Sequence, residues 1–382
     1  MKIAFEADSL IIQHKTGVSY SEEAIIKELL LNYKEYIYFF NIFARSKEKQ
    51  VNFFLSTNCR MNCCRWVSYD WYRLLSSFIG LPYSLFFGKK ADVYHFFNCY
   101  VPPFVAGKRV VTVHDMAFKS CPETVRLKTK ILRTLNFKRS LKRADVIVTV
   151  SEFTKQELLN YYPEFTKKRI EVVPNGVSSN FFYKAPEIVI KNVKMRYKIE
   201  DEYFLYIGTL EPRKNLERLI TAFAHFMHNR KVSPQLVIAG RKGWHYESIF
   251  ERGNQLSCDE KIIFTGYVEK EDIPALLSGA IAFCFPSLYE GFGMPILEAM
   301  ACGTPVITSD RSSLREIAGS AALLVNPLNV ESIEAGIHKL YDDKNFREEL
   351  ASRGKLRILD YSWKHAGDKL IAIYKDLYNE EN

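Results

Sequence analysis

Short apolar runs recur along the chain: IAFEA near the start, then RVVTV, DVIVTV, IEVV, YFLYIG, QLVIAG, KIIFTG, AIAFCFP, PVIT and ALLV. Rich in Val, Ile and Phe, and too short for helices, these runs predict strands. The amphipathic or polar stretches between most of them predict helices. Such alternation predicts an α/β protein whose parallel sheets are covered by helices on both faces. The 382 residues favour two domains at ~150 residues each, so the runs divide into two sheets, each with its functional edge toward a shared cleft. Asn175-Gly176 in VVPNGV is a turn signal and marks the boundary. From there to about Arg196 periodicity is weak, which predicts a linker. From Ser362 to Tyr378, Trp363, Ala366, Leu370, Ile373 and Leu377 fall at spacings of three and four, which predicts a helix.

Composition narrows the class. With 47% hydrophobic and 25% charged residues, the chain is neither disordered, collagen-like nor a disulfide scaffold. No stretch reaches the ~18 apolar residues of a membrane span. MKIAFEADSL has too short an apolar run for a secretory signal, so a cytoplasmic protein is expected. Cys59, Cys63 and Cys64 cluster without a CxxC pair, and free thiols are expected. Charge is uneven: the first 182 residues carry 27 Lys and Arg against 16 Asp and Glu, a surplus of +11, and the rest carry −2. A one-sided positive field fits an anionic partner, either a phospholipid surface, a phosphorylated substrate or nucleic acid; a merely solvated basic surface is the alternative.

Candidate chemistry lies after the strands, where open α/β sheets bind ligands. In LYEGFGMPILEAMACGTPVITSD, Glu290 and Glu298 flank a loop carrying Gly291 and Gly293, and Pro295 suits the first turn of a helix. Glycines admit close backbone approach, and a helix N-terminus offers unpaired N–H groups to a diphosphate. Glu290 can accept hydrogen bonds from sugar hydroxyls and Glu298 from a vicinal diol such as ribose. A helix with a Glu favourable in its first turn accounts for Glu298 alone. In GTLEPRKN, Arg213 and Lys214 can clamp phosphate oxygens, or they are solvated surface bases. In TVHDMAF, His114 follows an apolar strand. It can bond a substrate hydroxyl or move a proton, or it is a satisfied core histidine; Asp115 orients it or binds a hydroxyl. In KTGVSYS, Gly17 precedes a helix expected to begin near Ser21, a place for phosphate or acceptor contact, although a plain turn explains one glycine.

Together these motifs resemble the retaining, GT-B-fold glycosyltransferases of family 4. EGFGMPILE resembles that family's E-x7-E donor signature. GTLEPRKNL, the His-Asp pair, VSEFTK, VPNGV and DVYHFFNCYVPP, with Asn98, are similar to the mannosyltransferase-like branch of bacterial surface polysaccharide assembly. One departure is Thr209, where many members carry Arg after the glycine; Arg213 then supplies the guanidinium. The resemblance implies two Rossmann-like domains, residues 1–178 with a final helix crossing back as 363–382, and residues 179–362. It implies that Arg213 and Lys214 hold the diphosphate and Glu298 the ribose. Glu290 and the amides of Phe292, Gly293 and Met294 hold the donor sugar, with Gly17 and Thr209 also at the donor. Arg241, Gly266, Tyr267 and Val268 frame the base, His114 contacts the transferred sugar, and Asn98 and Asp115 take the acceptor. Catalysis is then assigned to His114, Glu290, Arg213 and Lys214. The donor is a nucleotide-diphosphate sugar such as GDP-mannose or a UDP-hexose, mannose being favoured, and the acceptor is a saccharide or lipid-linked saccharide. No cofactor and no metal are expected, in keeping with the lack of an Asp-x-Asp run.

The stretch from Arg65 to Lys90 mixes Trp66, Trp71, Tyr72, Phe78 and Phe86 with Arg65, Arg73, Lys89 and Lys90. It suits an anionic membrane surface on the inner face of the cytoplasmic membrane, or an ordinary buried helix with a basic rim. Other classes fit less well. A nicotinamide enzyme would show G-x-G-x-x-G after the first strand, and no such motif is there. A nucleotide-sugar epimerase of the same architecture is the alternative, since it would use the same nucleotide grip. No nucleic-acid-binding motif accompanies the positive charge, so nucleic acid is not an expected partner.

Overall fold

The computed structural model describes residues 1–11, 16–43, 57–228, 234–254 and 259–380. The chain divides into two compact units, Met1–Gly176 with Trp363–Asn382, and Val177–Ser362. The first unit is built on β1 (Lys2–Glu6), β2 (Ile37–Phe43), β3 (Cys59–Cys64), β4 (Val93–Phe96), β5 (Lys108–Val113), β6 (Val146–Thr149) and β7 (Arg169–Val172). Their order in the sheet is β3-β2-β1-β4-β5-β6-β7. The second is built on β8 (Tyr203–Ile207), β9 (Gln235–Ala239), β10 (Ile262–Gly266), β11 (Ala282–Phe285), β12 (Val306–Ser309) and β13 (Leu323–Val325). Their order is β10-β9-β8-β11-β12-β13. All of these pairings are parallel. Parallel strands need crossovers, most of which carry a helix, and the central strands of each sheet are buried on both faces.

Every run read as a strand forms one. Three more complete the first sheet: β2 (IYFFNIF), β3 (CRMNCC) and β4 (VYHF). The linker expected up to Arg196 is corrected, because Glu187–Arg196 is a helix. Ile190 and Val193 are buried on it, which is enough of an inward face to hold so short a segment. The helix expected near Ser21 begins at Gly17, where the Thr16 side chain accepts the Ser19 N–H at 3.4 Å. A threonine at that place satisfies an otherwise orphaned amide.

The last helix, Trp363–Asn379, belongs to the first unit. It lies along the Gly17–Asn32 helix, where Gly367 leaves room for Glu28, Leu29 and Tyr33. Tyr33 donates its hydroxyl proton to Asp368. Deeper in, Tyr374 Oη is 2.5 Å from Nδ1 of the buried His95, whose Nε2 is 2.7 Å from Thr112 Oγ1. The final helix is thereby fastened to β4 and β5.

Candidate functional site

In the second unit the carboxyl ends of β8 and β11 bring two segments together. After β8 the chain turns through Pro212–Lys214, and Asn215 adopts a left-handed conformation, φ 62°. The Asn215 amide ties this turn to the Pro286 and Pro327 carbonyls, at 3.0 and 2.7 Å. After β11, Gly293 has φ 100° and opens the Met294–Ala301 helix; a Cβ there would lie 2.5 Å from Leu314. Only glycine fits that entry without strain.

Glu290 joins the two segments. Its Oε1 accepts from Lys214 Nζ at 2.6 Å and its Oε2 from Arg213 Nη1 at 2.8 Å. Arg213 also reaches the Tyr289 carbonyl and Glu211, both at 2.7 Å. Lys214 sits over the Phe285 ring, 4.8 Å from its centroid. Burial raises the affinity of Glu290 for its proton, but the two cations outweigh it and hold the carboxyl below its usual range. The four charges cancel, so this is a neutral, preorganised cluster rather than a bare positive cradle. Pairing with Glu290 is the engagement that Arg213 and Lys214 make in the structure. Each carboxylate oxygen keeps lone-pair capacity for a further donor.

Two serines that sequence reasoning missed hold the Glu290 backbone. The Glu290 N–H donates to Ser312 Oγ at 3.2 Å, and Ser313 Oγ donates to the Glu290 carbonyl at 2.9 Å. Their signal is a Ser-Ser pair opening the Ser312–Ala318 helix just beyond β12. Glu298 lies in the fifth position of the Met294–Ala301 helix. Burial pushes its carboxyl up to about 7, with Lys270 partly opposing. Phe292 is buried edge-on to Tyr361, and Met294 is partly exposed.

The other second-unit residues expected at the donor lie at or just after the ends of β8, β9 and β10. The Arg241 guanidinium lies 4.1 Å from the centroid of the half-exposed Tyr267 ring. The Gly266 carbonyl accepts the Gly240 N–H at 2.8 Å, and Val268 is buried. The Thr209 carbonyl accepts the Tyr206 hydroxyl proton at 3.2 Å.

In the first unit, His114 Nε2 is 3.0 Å from the Phe97 carbonyl. A carbonyl only accepts, so Nε2 carries the proton and Nδ1 keeps a lone pair. Burial lowers the imidazole to about 4, against partial opposition from Asp115, so the ring is neutral near pH 7. A small cavity beside it is lined by Glu22, Thr112, Asn175 and Trp363 among others. Asp115, expected to orient His114 or to bind a hydroxyl, accepts from the Ala117 N–H at 3.1 Å and from Arg133 at 2.8 Å. The Phe97 carbonyl does the orienting. The Asn98 amide donates to the buried Glu6 carboxylate at 3.1 Å. Gly17 has open space where a side chain would stand.

Two sheets of this kind, each with its polar residues beyond the carboxyl ends of the strands, define the GT-B class. Sucrose-phosphate synthase from Thermosynechococcus elongatus superposes over 99% of both chains with TM-score 0.76 at 18% identity. WaaG, a glycosyltransferase of lipopolysaccharide biosynthesis, covers 97% of this chain and 99% of its own, with TM-score 0.71 at 15% identity. The model of "Glycosyl transferases group 1" matches residues 190–357, and that of "Glycosyltransferase Family 4" residues 44–181. O-antigen chain mannosyltransferase B of Escherichia coli is 34% identical over 292 residues, 75% of this chain and 74% of that one. The serotype-specific mannosyltransferase WbdA of Escherichia coli is 31% identical over 242 residues, which span 62% of this chain and 29% of that longer protein. The chain belongs to glycosyltransferase family 4, and it is a hexosyltransferase.

Proposed function

We propose that the enzyme transfers mannose from a nucleotide-diphosphate sugar to a saccharide, free or lipid-linked, with retention of configuration and without a metal or other cofactor. The observation that carries this reading is the Arg213–Glu290–Lys214 cluster, tied to the glycine loop that opens the Met294–Ala301 helix. Two cations and the end of a helix dipole suit a diphosphate. Because Glu290 and Glu211 already order the cations, little side-chain freedom is lost when the anion arrives. Glu298 takes the ribose diol, Arg241 and Tyr267 frame the base, and the loop amides of Phe292, Gly293 and Met294 meet the sugar. The mannosyltransferase names of the relatives support the choice of sugar.

The bond that breaks joins the anomeric carbon to the donor phosphate oxygen, and its electron pair leaves on the diphosphate. Arg213, Lys214 and the helix end stabilise that charge; each such group contributes roughly 2–4 kcal/mol by analogy with oxyanion donors. The acceptor hydroxyl attacks from the same face and its proton passes to the departing phosphate oxygen. Glu290, held between two cations, is a poor nucleophile and stays a hydrogen-bond acceptor for the sugar. His114 Nδ1 accepts a hydrogen bond from a sugar hydroxyl, and Asn98 and Asp115 lie on the acceptor side. The reaction takes place in the cytoplasm, at the membrane face where a lipid-linked acceptor is presented. No nucleic acid takes part.

The test is a thermal-shift screen of GDP- and UDP-sugars, since a ligand that binds the native state stabilises it by mass action. GDP-mannose is expected to raise the melting temperature, and Glu298→Ala or Lys214→Ala to abolish the shift. An unchanged shift in both variants would discredit the assigned site. Product analysis with and without acceptor separates transfer from epimerisation, because an isomerised donor alone would mark the epimerase.

A further inference from the structure

The Tyr69–Ile79 helix is apolar on the side that faces solvent. Its inward side is complete. Tyr72 stacks on Phe43 at 4.5 Å, and Ser76 shares a hydrogen bond with Tyr100. On the outward side Trp71 is 62% exposed, Phe78 73% and Ile79 70%, with Leu74 and Leu75 partly open between them. Trp66, 86% exposed, precedes the helix and Leu85 follows it. A surface helix ordinarily turns charged and polar residues outward. Single exposed apolar side chains are common, but a continuous group around two tryptophans marks an interaction surface.

The surroundings indicate the partner. Arg65 stands exposed beside Trp66, and Lys89 and Lys90 follow the apolar group. Arg139 of the Leu127–Arg143 helix donates to the Ser77 carbonyl at 2.9 Å, which places that helix alongside. It too shows an outward row, Leu127, Ile131 and Leu135, followed by exposed Lys138, Arg139 and Lys142. Apolar and aromatic side chains with bases around them match the boundary between acyl chains and anionic headgroups. The rings enter the boundary and the long basic side chains reach the phosphates. The +11 surplus of the first 182 residues adds attraction to the same surface.

We propose that the outward face of the Tyr69–Ile79 helix, with Trp66 and Leu85, docks on an anionic lipid bilayer. The proposal names the surface that would bring the enzyme to a lipid-borne acceptor, and so it rests on the reading given above.

The test uses the full chain with vesicles of phosphatidylethanolamine and phosphatidylglycerol, and with vesicles of phosphatidylcholine alone. The native protein is expected to sediment with the anionic vesicles at low salt and to be released at high salt. Trp71→Ser with Phe78→Ser, and separately Lys89→Glu with Lys90→Glu, are expected to weaken binding at least about tenfold. All four residues are exposed, and the thermal shift induced by GDP-mannose is expected to stay at its native size. Failure of the native protein to sediment overturns the proposal. Undiminished sedimentation of the double variants overturns this face as the contact. A concentration-dependent dimer, seen by light scattering and lost in Trp71→Ser with Phe78→Ser, would put a second copy there instead. A native protein that shifts with donor but ignores vesicles leaves the transferase reading intact, and one that binds vesicles without a donor shift does the reverse.

Discussion

A carboxyl group that burial has pushed up to about 7 is divided between its two protonation states near neutrality, and Glu298 is in that condition. A diol hydrogen-bonds the carboxylate better than the acid, so donor binding should draw off the proton. Affinity for the donor is therefore expected to rise with pH through about 7, and Glu298→Gln to flatten that dependence, as measured by titration calorimetry across the range. The same shift acts on the free protein with the opposite sense: from pH 4.5 to about 7 the folded state increasingly resists an ionisation that the unfolded chain accepts. His114 works the other way. Its pKa falls from 6.5 to about 4, so the stability gained by burying it neutral is present above pH 6.5 and is lost as pH drops toward 4. His114→Gln is expected to blunt acid unfolding over that window and to lower kcat by about 10²-fold, the scale of one lost polar contact to the reacting sugar. Glu290, Arg213, Lys214 and His114 stood out in the sequence because each follows an apolar run, and Glu298 because it lies eight residues beyond Glu290 across a glycine-bearing loop. Ser312 and Ser313 did not, because a Ser-Ser pair at a helix start looks the same whether or not it holds the backbone of a distant residue. The neutral charge balance was hidden as well. It depends on Glu290 and Arg213 being 2.8 Å apart in space although 77 positions apart in sequence.

At the scale of elements, the informative contact is between the final helix and β4. Tyr374→Phe removes the partner of His95 Nδ1 in a site where burial already lowers that imidazole to about 3. An unsatisfied buried polar atom costs about 1–3 kcal/mol. Chemical denaturation is expected to show a loss of that size with no change in the donor-induced shift, because Tyr374 belongs to the first unit and Arg213, Lys214, Glu290 and Glu298 to the second. Elements with the usual pattern for their class were legible: ten strands, and the last helix with its row of buried side chains. The strands that escaped had reasons to. β2 is apolar at six of its seven positions and buried on both sides, so it shows no alternation. β4 is four residues long with a histidine at its centre. β3, at the edge of its sheet, carries polar side chains, as edges often do.

For the molecule as a whole, the charge is divided much as the chain is. The whole of the net surplus lies in the first 182 residues, in the unit that carries the outward-facing tryptophans, while the remainder, which bears Arg213, Lys214, Glu290 and Glu298, is slightly negative. Ending the chain at Ser362 removes Trp363, Ala366, Leu370 and Tyr374 from the first unit and leaves the second whole. Limited proteolysis of that truncated chain is expected to digest residues 1–176 and to spare a fragment beginning near Val177. Degradation of both units at equal rates would contradict this. Because the first unit is closed by the Trp363–Asn379 helix, its folding has a schedule. On the ribosome, the sheet begun at Lys2 must wait while Val177–Ser362 is made, roughly 10–40 s at the usual speed of translation. The later-made Val177–Ser362 can mature first, while the earlier-made part stays a nascent client for chaperones until Trp363–Asn379 has been made.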